Sequence, residues 1–384
     1  MSHLKLGRMH AVSIGCATAV LLTALVYYVM ILRDDRFMYG DMVNWMIVIA
    51  KRGYPAMAGE YAGYPPTYLY LLGLISPLHG YFSPVVLIKI VSILFNLLGA
   101  LFVAFIIKEF RKDNEISVLG GILFLLLPTV AIESALWAQA DIIYLVFVLA
   151  FFLCTLKDRS LLALICLGFA FSIKMQTIFI GPYVLYLLLR GELRWRDLLA
   201  IPAVYVVAMF PAALAGRPWH DLLLIYVGQA NIPYGLSAQA PNFYMFVQKF
   251  NLLSNQMGTY VGELLAVIGG LAIAYLGSRE LGSSTKEKFL VVVASLLLMP
   301  FLLPKMHERY FFPADVFSYV MAFVITRSWP VAVLMQCASL LAYSVYLFHF
   351  GVGPYIGSFF TLAAIVLVYR MWKKQIDAAD GVTA

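Results

Sequence analysis

"SLLALICLGFAFSIKMQTIFIGPYVLYLLL", residues 160–189, carries a single charge, Lys174, in an otherwise uncharged and mostly apolar run. Read as one helix, the run crosses a bilayer once. Read as a hairpin turning near Lys174, it gives two arms of about 14 residues, and every later connector changes side. Basic residues decide between the two, because Lys and Arg collect on the cytoplasmic side of short loops. The hairpin places 17 of the 27 Lys and Arg there against 10 outside, whereas the single helix gives 11 against 16. The sequence therefore predicts the hairpin, with both termini cytoplasmic. Arms this short do not fully cross, and non-spanning backbone at membrane depth is tolerated only inside protein or beside a cavity.

The rest of the chain agrees with a membrane setting. Hydrophobic residues make up 63% of it and charged residues 12%, with a mean hydropathy of +0.88; soluble domains run at about 45–50% and about 25%. Backbone in lipid must satisfy its own hydrogen bonds, so solidly apolar runs become helices; a barrel would alternate over segments of about 10 residues. An all-α, polytopic membrane protein of about twelve transmembrane helices follows. They are expected at roughly 11–32, 84–107, 116–132, 142–156, 160–173, 176–189, 198–215, 259–277, 289–303, 314–326, 330–348 and 354–372. The first is read as uncleaved, since it is long and no small-residue cleavage pattern follows. The run "TYLYLLGLISPL" at 67–78 is too short to span and reads as interfacial or re-entrant, entered through Pro65-Pro66.

A net charge of +7 could suggest nucleic acid, but the basic residues sit mostly in short connectors, so membrane lipids are the expected partner and nucleic acid is not. Cys16, Cys154, Cys166 and Cys337 lie in apolar runs and read as packing residues. Residues 1–384 form one membrane domain in this reading. Its outer face carries the first loop (33–83), a long loop (216–258) and a charged loop (304–313).

Three stretches concentrate polar groups. In "RDDRFMYGDMVNWMIVIAKRGYP" (33–55), Met42, Trp45, Met46 and Ile49 make a helical stripe suited to the membrane surface. Asp41 lies opposite the stripe in the first turn, either as a charge favoured by the helix dipole or as a general base at the lipid–water boundary. Asp34 and Asp35 are rival bases, flanked by Arg33 and Arg36 as neutralised surface pairs. In "ESALWAQAD" (133–141), Trp137 suits an interface, and Gln139 and Asp141 are expected at the outer boundary, unless Asp141 serves to cap the next helix. Lys174 is either a functional charge at membrane depth or a lysine snorkelling from the hairpin tip to water. In "LPKMHERYFFP" (303–313), Lys305, His307 and Arg309 alternate between Pro304 and Pro313, with Tyr310, Phe311 and Phe312 behind them. Such cations suit a phosphate whose lipid tail lies between helices: Arg takes oxygens in bidentate fashion and Lys acts as a point charge. Glu308 is placed to hold Arg309 or His307.

Together, "PKMHERYFFP" (304–313), "WAQAD" (137–141), "IKMQ" (173–176) ahead of a proline, and the early "YGDM…W" and "YPPTYLY" resemble bacterial mannosyltransferase-like membrane proteins. Those are relatives of the second mannosyltransferase of glycosylphosphatidylinositol synthesis, within the GT-C glycosyltransferase class. The resemblance runs in order from about residue 39 to 315, with His-Glu-Arg-Tyr as its most specific part. It implies a GT-C-like fold with surface helices in the first outer loop. It also implies inverting transfer of a mannosyl or other hexosyl group from a polyprenyl-phosphate sugar to a glycan, lipid or protein acceptor. The setting would be the outward face of a bacterial inner membrane. By resemblance Asp41 is the base, and Lys305, His307 and Arg309 bind the departing phosphate. Trp137, Gln139, Asp141, Lys174, Glu308 and Tyr310 then line the substrate pocket. Many GT-C enzymes carry two closely spaced acids in the first loop. Here Asp41 is followed by Met42-Val43-Asn44, so neither a metal nor another cofactor is expected.

The rival reading is a secondary transporter or lipid-linked sugar flippase, which would place charges at the midplane and show inverted repeats. Charges clustered at one face, with no repeat, count against it. A polymerase or ligase of lipid-linked glycans would rely on a larger outer loop than 216–258. Trp219, His220, Tyr226, Tyr234 and Tyr244 of that loop are suited to sugars, but aromatic residues at an interface are more often belt residues than sugar platforms.

Overall fold

The computed structural model describes residues 2–33, 40–230, 235–282 and 284–383. Asp34 and Asp35 lie outside them. The described residues form, in order, α1 (Ser2–Ile31), α2 (Gly40–Arg52), α3 (Pro66–Ile75), α4 (Pro84–Arg111), α5 (Asn114–Leu125), α6 (Pro128–Ala131), α7 (Asp141–Leu156), α8 (Ser160–Ile173) and α9 (Gly181–Leu189). Then come α10 (Ala200–Leu214), α11 (Trp219–Ala230), α12 (Tyr244–Lys249), α13 (Asn255–Glu280), α14 (Thr285–Leu302), α15 (Phe312–Val324), α16 (Trp329–Phe348) and α17 (Gly353–Thr383). A two-residue parallel pairing of β1 (Ser237–Ala238) with β2 (Met306–His307) interrupts an otherwise all-α architecture.

Each of the twelve expected segments is largely helical, but far fewer are long enough to span. Among the described residues, six helices are long and apolar enough to cross a membrane: Val12–Ile31, Pro84–Arg111, Trp195–Leu214, Asn255–Glu280, Trp329–Phe348 and Gly353–Gln375. A seventh arises if Asn114–Leu125 and Pro128–Leu136, bent by 50°, count as one. That bend replaces the single helix expected at 116–132. Pro128 has no N–H to continue the ladder, and the residue before it, Leu127, is pushed to an extended ψ of 127°. Asp141–Leu156, Ser160–Ile173, Met175–Leu189 and Phe312–Val324 are shorter apolar helices. The chain is a multi-pass membrane protein in which shorter, non-spanning helices are interspersed among the spanning ones.

The decisive stretch is not one helix. α8 ends at Ile173, Lys174 is extended (φ −152°, ψ 135°), and a 3-10 turn at Met175–Ile180 leads into α9.

Contacts gather the chain into two compact units, residues 1–177 with 196–232, and residues 178–195 with 233–384. The first is organised on α7, which packs against α4 and α8 and buries residues all round its circumference, as a core helix must. α4 starts where Ser83 accepts a hydrogen bond from the Val86 N–H and Pro84 fills the first turn; it stops at Lys112 in the left-handed region. Lys89, inside this apolar helix, is fully buried because its ammonium donates to the Met30 and Arg33 carbonyls at 2.9 and 2.6 Å, satisfying the end of α1.

α2 corrects one expectation. Its stripe of Met42, Trp45, Met46 and Ile49 is buried by protein, with α3 and α4 packed against the helix, rather than turned to lipid. The sequence pattern marks an apolar face and leaves open what covers it.

The second unit centres on α14, opened by a capping box of Ser284 and Glu287 and packed against α9, α13, α15 and α17. α13 presents glycine where neighbours come closest. A Cβ on Gly262 would collide with the Tyr244 hydroxyl and stand 2.8 Å from Pro304 Cδ, at the root of the charged loop. Gly262→Ala is therefore expected to destabilise the protein by about 1–3 kcal/mol, read by thermal unfolding in detergent. Gly15→Ala, where a Cβ meets nothing within 4 Å, should not.

Candidate active site

In the first unit the polar groups lie deeper than their sequence suggests. α6 runs into a π-turn at Ile132–Leu136, closed by Trp137 N–H to the Ile132 carbonyl at 2.7 Å. Ala138 then takes φ 55°, in the left-handed region, while Gln139 N–H reaches the Glu133 carbonyl at 2.7 Å. π-turns and non-glycine residues with positive φ cluster at functional sites because packing must hold them there. Ser92 adds a further tie, donating to the Gln139 carbonyl at 2.7 Å. The result turns "WAQAD" inward into the protein: Trp137, Gln139 and Asp141 are 3%, 6% and 0% exposed.

Asp141 is not a cap either. Ala140 occupies the cap position of α7 without a side-chain bond, and the Asp141 carboxylate meets the Lys174 ammonium at 2.5 Å. Lys174, 4% exposed, does not snorkel to water. Its charge lies 5.1 Å from the centre of the Tyr64 ring and 5.9 Å from that of Tyr144. Tyr64 in turn packs against Trp45 and Tyr68, at 5.2 and 5.7 Å between ring centres. A buried ion pair thus sits against rings from the turn before α3 and from α7, with Trp45 of α2 and Tyr68 of α3 packed behind Tyr64. Gln139 Oε1 and Gln176 Oε1 are buried without a hydrogen-bond partner, a donor deficit that a hydroxylated ligand would fill. Asp41, in the first turn of α2, is exposed.

In the second unit the charged loop is held by its backbone. Lys305 takes φ 62° and its N–H donates to the Leu236 carbonyl at 2.8 Å; Met306 and His307 then pair with Ser237 and Ala238. Asn242, fully buried, donates to the Pro300 carbonyl at 3.1 Å, and its own carbonyl accepts from Ser358 Oγ. Turns closed by Tyr310 N–H to the His307 carbonyl and Phe312 N–H to the Arg309 carbonyl deliver the chain into α15. Glu308 is 1% exposed, with Oε1 accepting from Arg309 Nη1 at 2.6 Å and Oε2 3.6 Å from His307 Nδ1. Burial pushes its carboxyl up, but the Arg309 guanidinium and His307 outweigh that and hold it below the ordinary range. Glu308 therefore stays charged and fixes both neighbours, while His307 and Arg309 keep 20% and 17% of their side chains exposed. Tyr310 packs beside them, 5.2 Å from the His307 ring and 6.1 Å from Phe179.

The structure thus gathers Trp137, Gln139, Asp141 and Lys174 in one unit, and Lys305, His307, Glu308, Arg309 and Tyr310 in the other. The sequence reading passed over Asn242, which has no motif, and Lys89, which announced itself as a charge inside an apolar run.

No curated protein matches the chain. Among protein families, residues 61–304, more than half of the chain, match glycosyltransferase family 87. The match supports a membrane glycosyltransferase of the GT-C type and does not extend to the narrower likeness to the glycosylphosphatidylinositol mannosyltransferases. With its apolar helices and the two polar clusters they carry, the chain belongs to glycosyltransferase family 87.

Proposed function

We propose that the protein transfers a hexosyl group, mannosyl by resemblance, from a polyprenyl-phosphate sugar to a glycan, lipid or protein hydroxyl, with inversion, at the outward face of a bacterial cytoplasmic membrane. The observation that carries this reading is the loop at 303–311. Its cations are partly exposed and braced by a buried carboxylate, as a site for a phosphate monoester requires.

In this reading Asp41 takes the proton of the acceptor hydroxyl as its oxygen attacks the anomeric carbon. The bond from that carbon to the phosphate oxygen breaks on the opposite face, which inverts the configuration. The leaving polyprenyl phosphate gains negative charge, and Lys305, His307 and Arg309 stabilise it. By resemblance, Trp137, Gln139, Asp141 and Lys174 of the first unit, and Glu308 and Tyr310 of the second, are assigned to substrate binding. The reading includes no metal, since the first loop offers Asp41 without a second acid beside it.

Arg309→Lys tests the phosphate assignment. It keeps a charge beside Glu308 but loses the fork that grips two oxygens. One charge-assisted hydrogen bond is worth about 1.5–3 kcal/mol, so the donor KM should rise roughly 10- to 100-fold, with unchanged thermal stability. An unchanged donor KM in labelled-donor kinetics would remove Arg309 from the phosphate site.

A further inference from the structure

A cavity outside both polar clusters lies in the first unit, between the loop at 60–63 and α11, with a volume of about 340 Å³. That is within the range of small-molecule sites, about 300–1,000 Å³. Its polar wall is Glu60, Arg217, His220, Asp221 and Gln229; Ala62, Leu224 and Ile225 supply an apolar side.

Local chain chemistry explains how Arg217 comes to be there. α10 ends in a tight turn at Gly216, whose φ of 110° suits glycine, and Arg217 N–H closes the turn on the Ala212 carbonyl at 3.1 Å. Pro218 then leads into α11. The Arg217 side chain is left 5% exposed, with Nε and Nη1 lacking any hydrogen-bond partner. A buried guanidinium with idle donors is costly, and one that lines a cavity is explained by something that enters it. Acceptors face it: Glu60 hydrogen-bonds Asp221, which also contacts His220 Nε2 at 2.7 Å. The hydrogen bond with Asp221 and the repulsion of that second carboxylate raise the Glu60 pKa. Gln229 donates to the Gly63 carbonyl and ties α11 to the loop.

The balance of charge selects the ligand. An inorganic phosphate would meet two acids, and a bare metal cation would meet a buried guanidinium. A neutral polyol suits both walls: its hydroxyls donate to the carboxylates and accept from Arg217, while its C–H face rests on Leu224 and Ile225. We propose that this cavity binds one sugar ring of a neutral glycan acceptor; the word acceptor rests on the glycosyltransferase reading above.

The test is isothermal titration of the full-length protein in lipid nanodiscs with neutral trisaccharides of mannose, glucose or galactose, alongside inorganic phosphate and calcium. Saturable binding of at least one trisaccharide, and of neither ion, is expected. Asp221→Asn should weaken it at least about tenfold, the scale of one lost hydrogen bond. Gly228→Leu, where a Cβ meets nothing within 4 Å, should do the same by filling the space. Arg217→Met should abolish binding while the melting temperature holds or rises, because an unsatisfied buried charge is removed. Binding of an ion instead, no trisaccharide binding, or binding indifferent to all three variants would overturn the proposal. Turnover of labelled polyprenyl-phosphate mannose is measured in the same preparation. Its absence, with trisaccharide binding intact, would sink the donor assignment and leave the cavity standing.

Discussion

Lys174→Met is expected to cost about 3–5 kcal/mol of stability, because it strands the buried Asp141 carboxylate without its partner. The pair meets at 2.5 Å with side chains 4% and 0% exposed, so solvent cannot take the partner's place. Unfolding of the purified protein in a graded denaturing detergent reads the loss. The double variant Lys174→Met/Asp141→Leu should recover most of it, since an apolar pair of similar size often equals or betters a buried ion pair. That variant also separates two roles. Folded and yet slower in transfer by about 100-fold, the scale expected from disturbed substrate positioning, it would place the pair in the substrate pocket. Folded and fully active, it would make the pair purely architectural and remove both residues from the site.

Asp41→Asn has the opposite signature: kcat falls by about 10²–10⁴-fold, the usual worth of a general base, and stability does not change. Asp41 is exposed in the first turn of α2, so its loss leaves no cavity and no stranded charge. The helix dipole that favours its charge also weakens it as a base, so proximity to the acceptor hydroxyl must supply the rate. Full activity in Asp41→Asn would pass the role to Asp34, Asp35 or Asp141, and single-turnover kinetics of their Asn variants would decide.

The helices were legible because apolar runs broken by Pro, Gly and charged connectors leave little choice in lipid. The break at Lys174 was legible from charge counting alone. Spanning length was not: a run such as 142–156 reads as a crossing, but the bend at Pro128 and the short α7, α8 and α15 depend on how helices pack, which composition does not encode. In the site, the braced loop at 303–311 was visible as alternating charges, and the role of Glu308 followed from its place between His307 and Arg309. The depth of Trp137, Gln139 and Asp141 was hidden, because the π-turn at 132–136 and the left-handed Ala138 turn the segment inward. Asp141 and Lys174 lie 33 residues apart, and nothing local to either names the other. Arg217 was hidden for the same reason: a basic residue before a proline reads as a surface turn until its burial is seen.

The most direct test of the donor assignment offers purified protein in liposomes a choice of labelled sugars: polyprenyl-phosphate hexoses and the matching nucleotide hexoses, with the product's anomeric configuration read by NMR. The account predicts turnover of a polyprenyl-phosphate donor with inversion and none of the nucleotide sugars. Turnover of a nucleotide sugar, or retention of configuration, would contradict it.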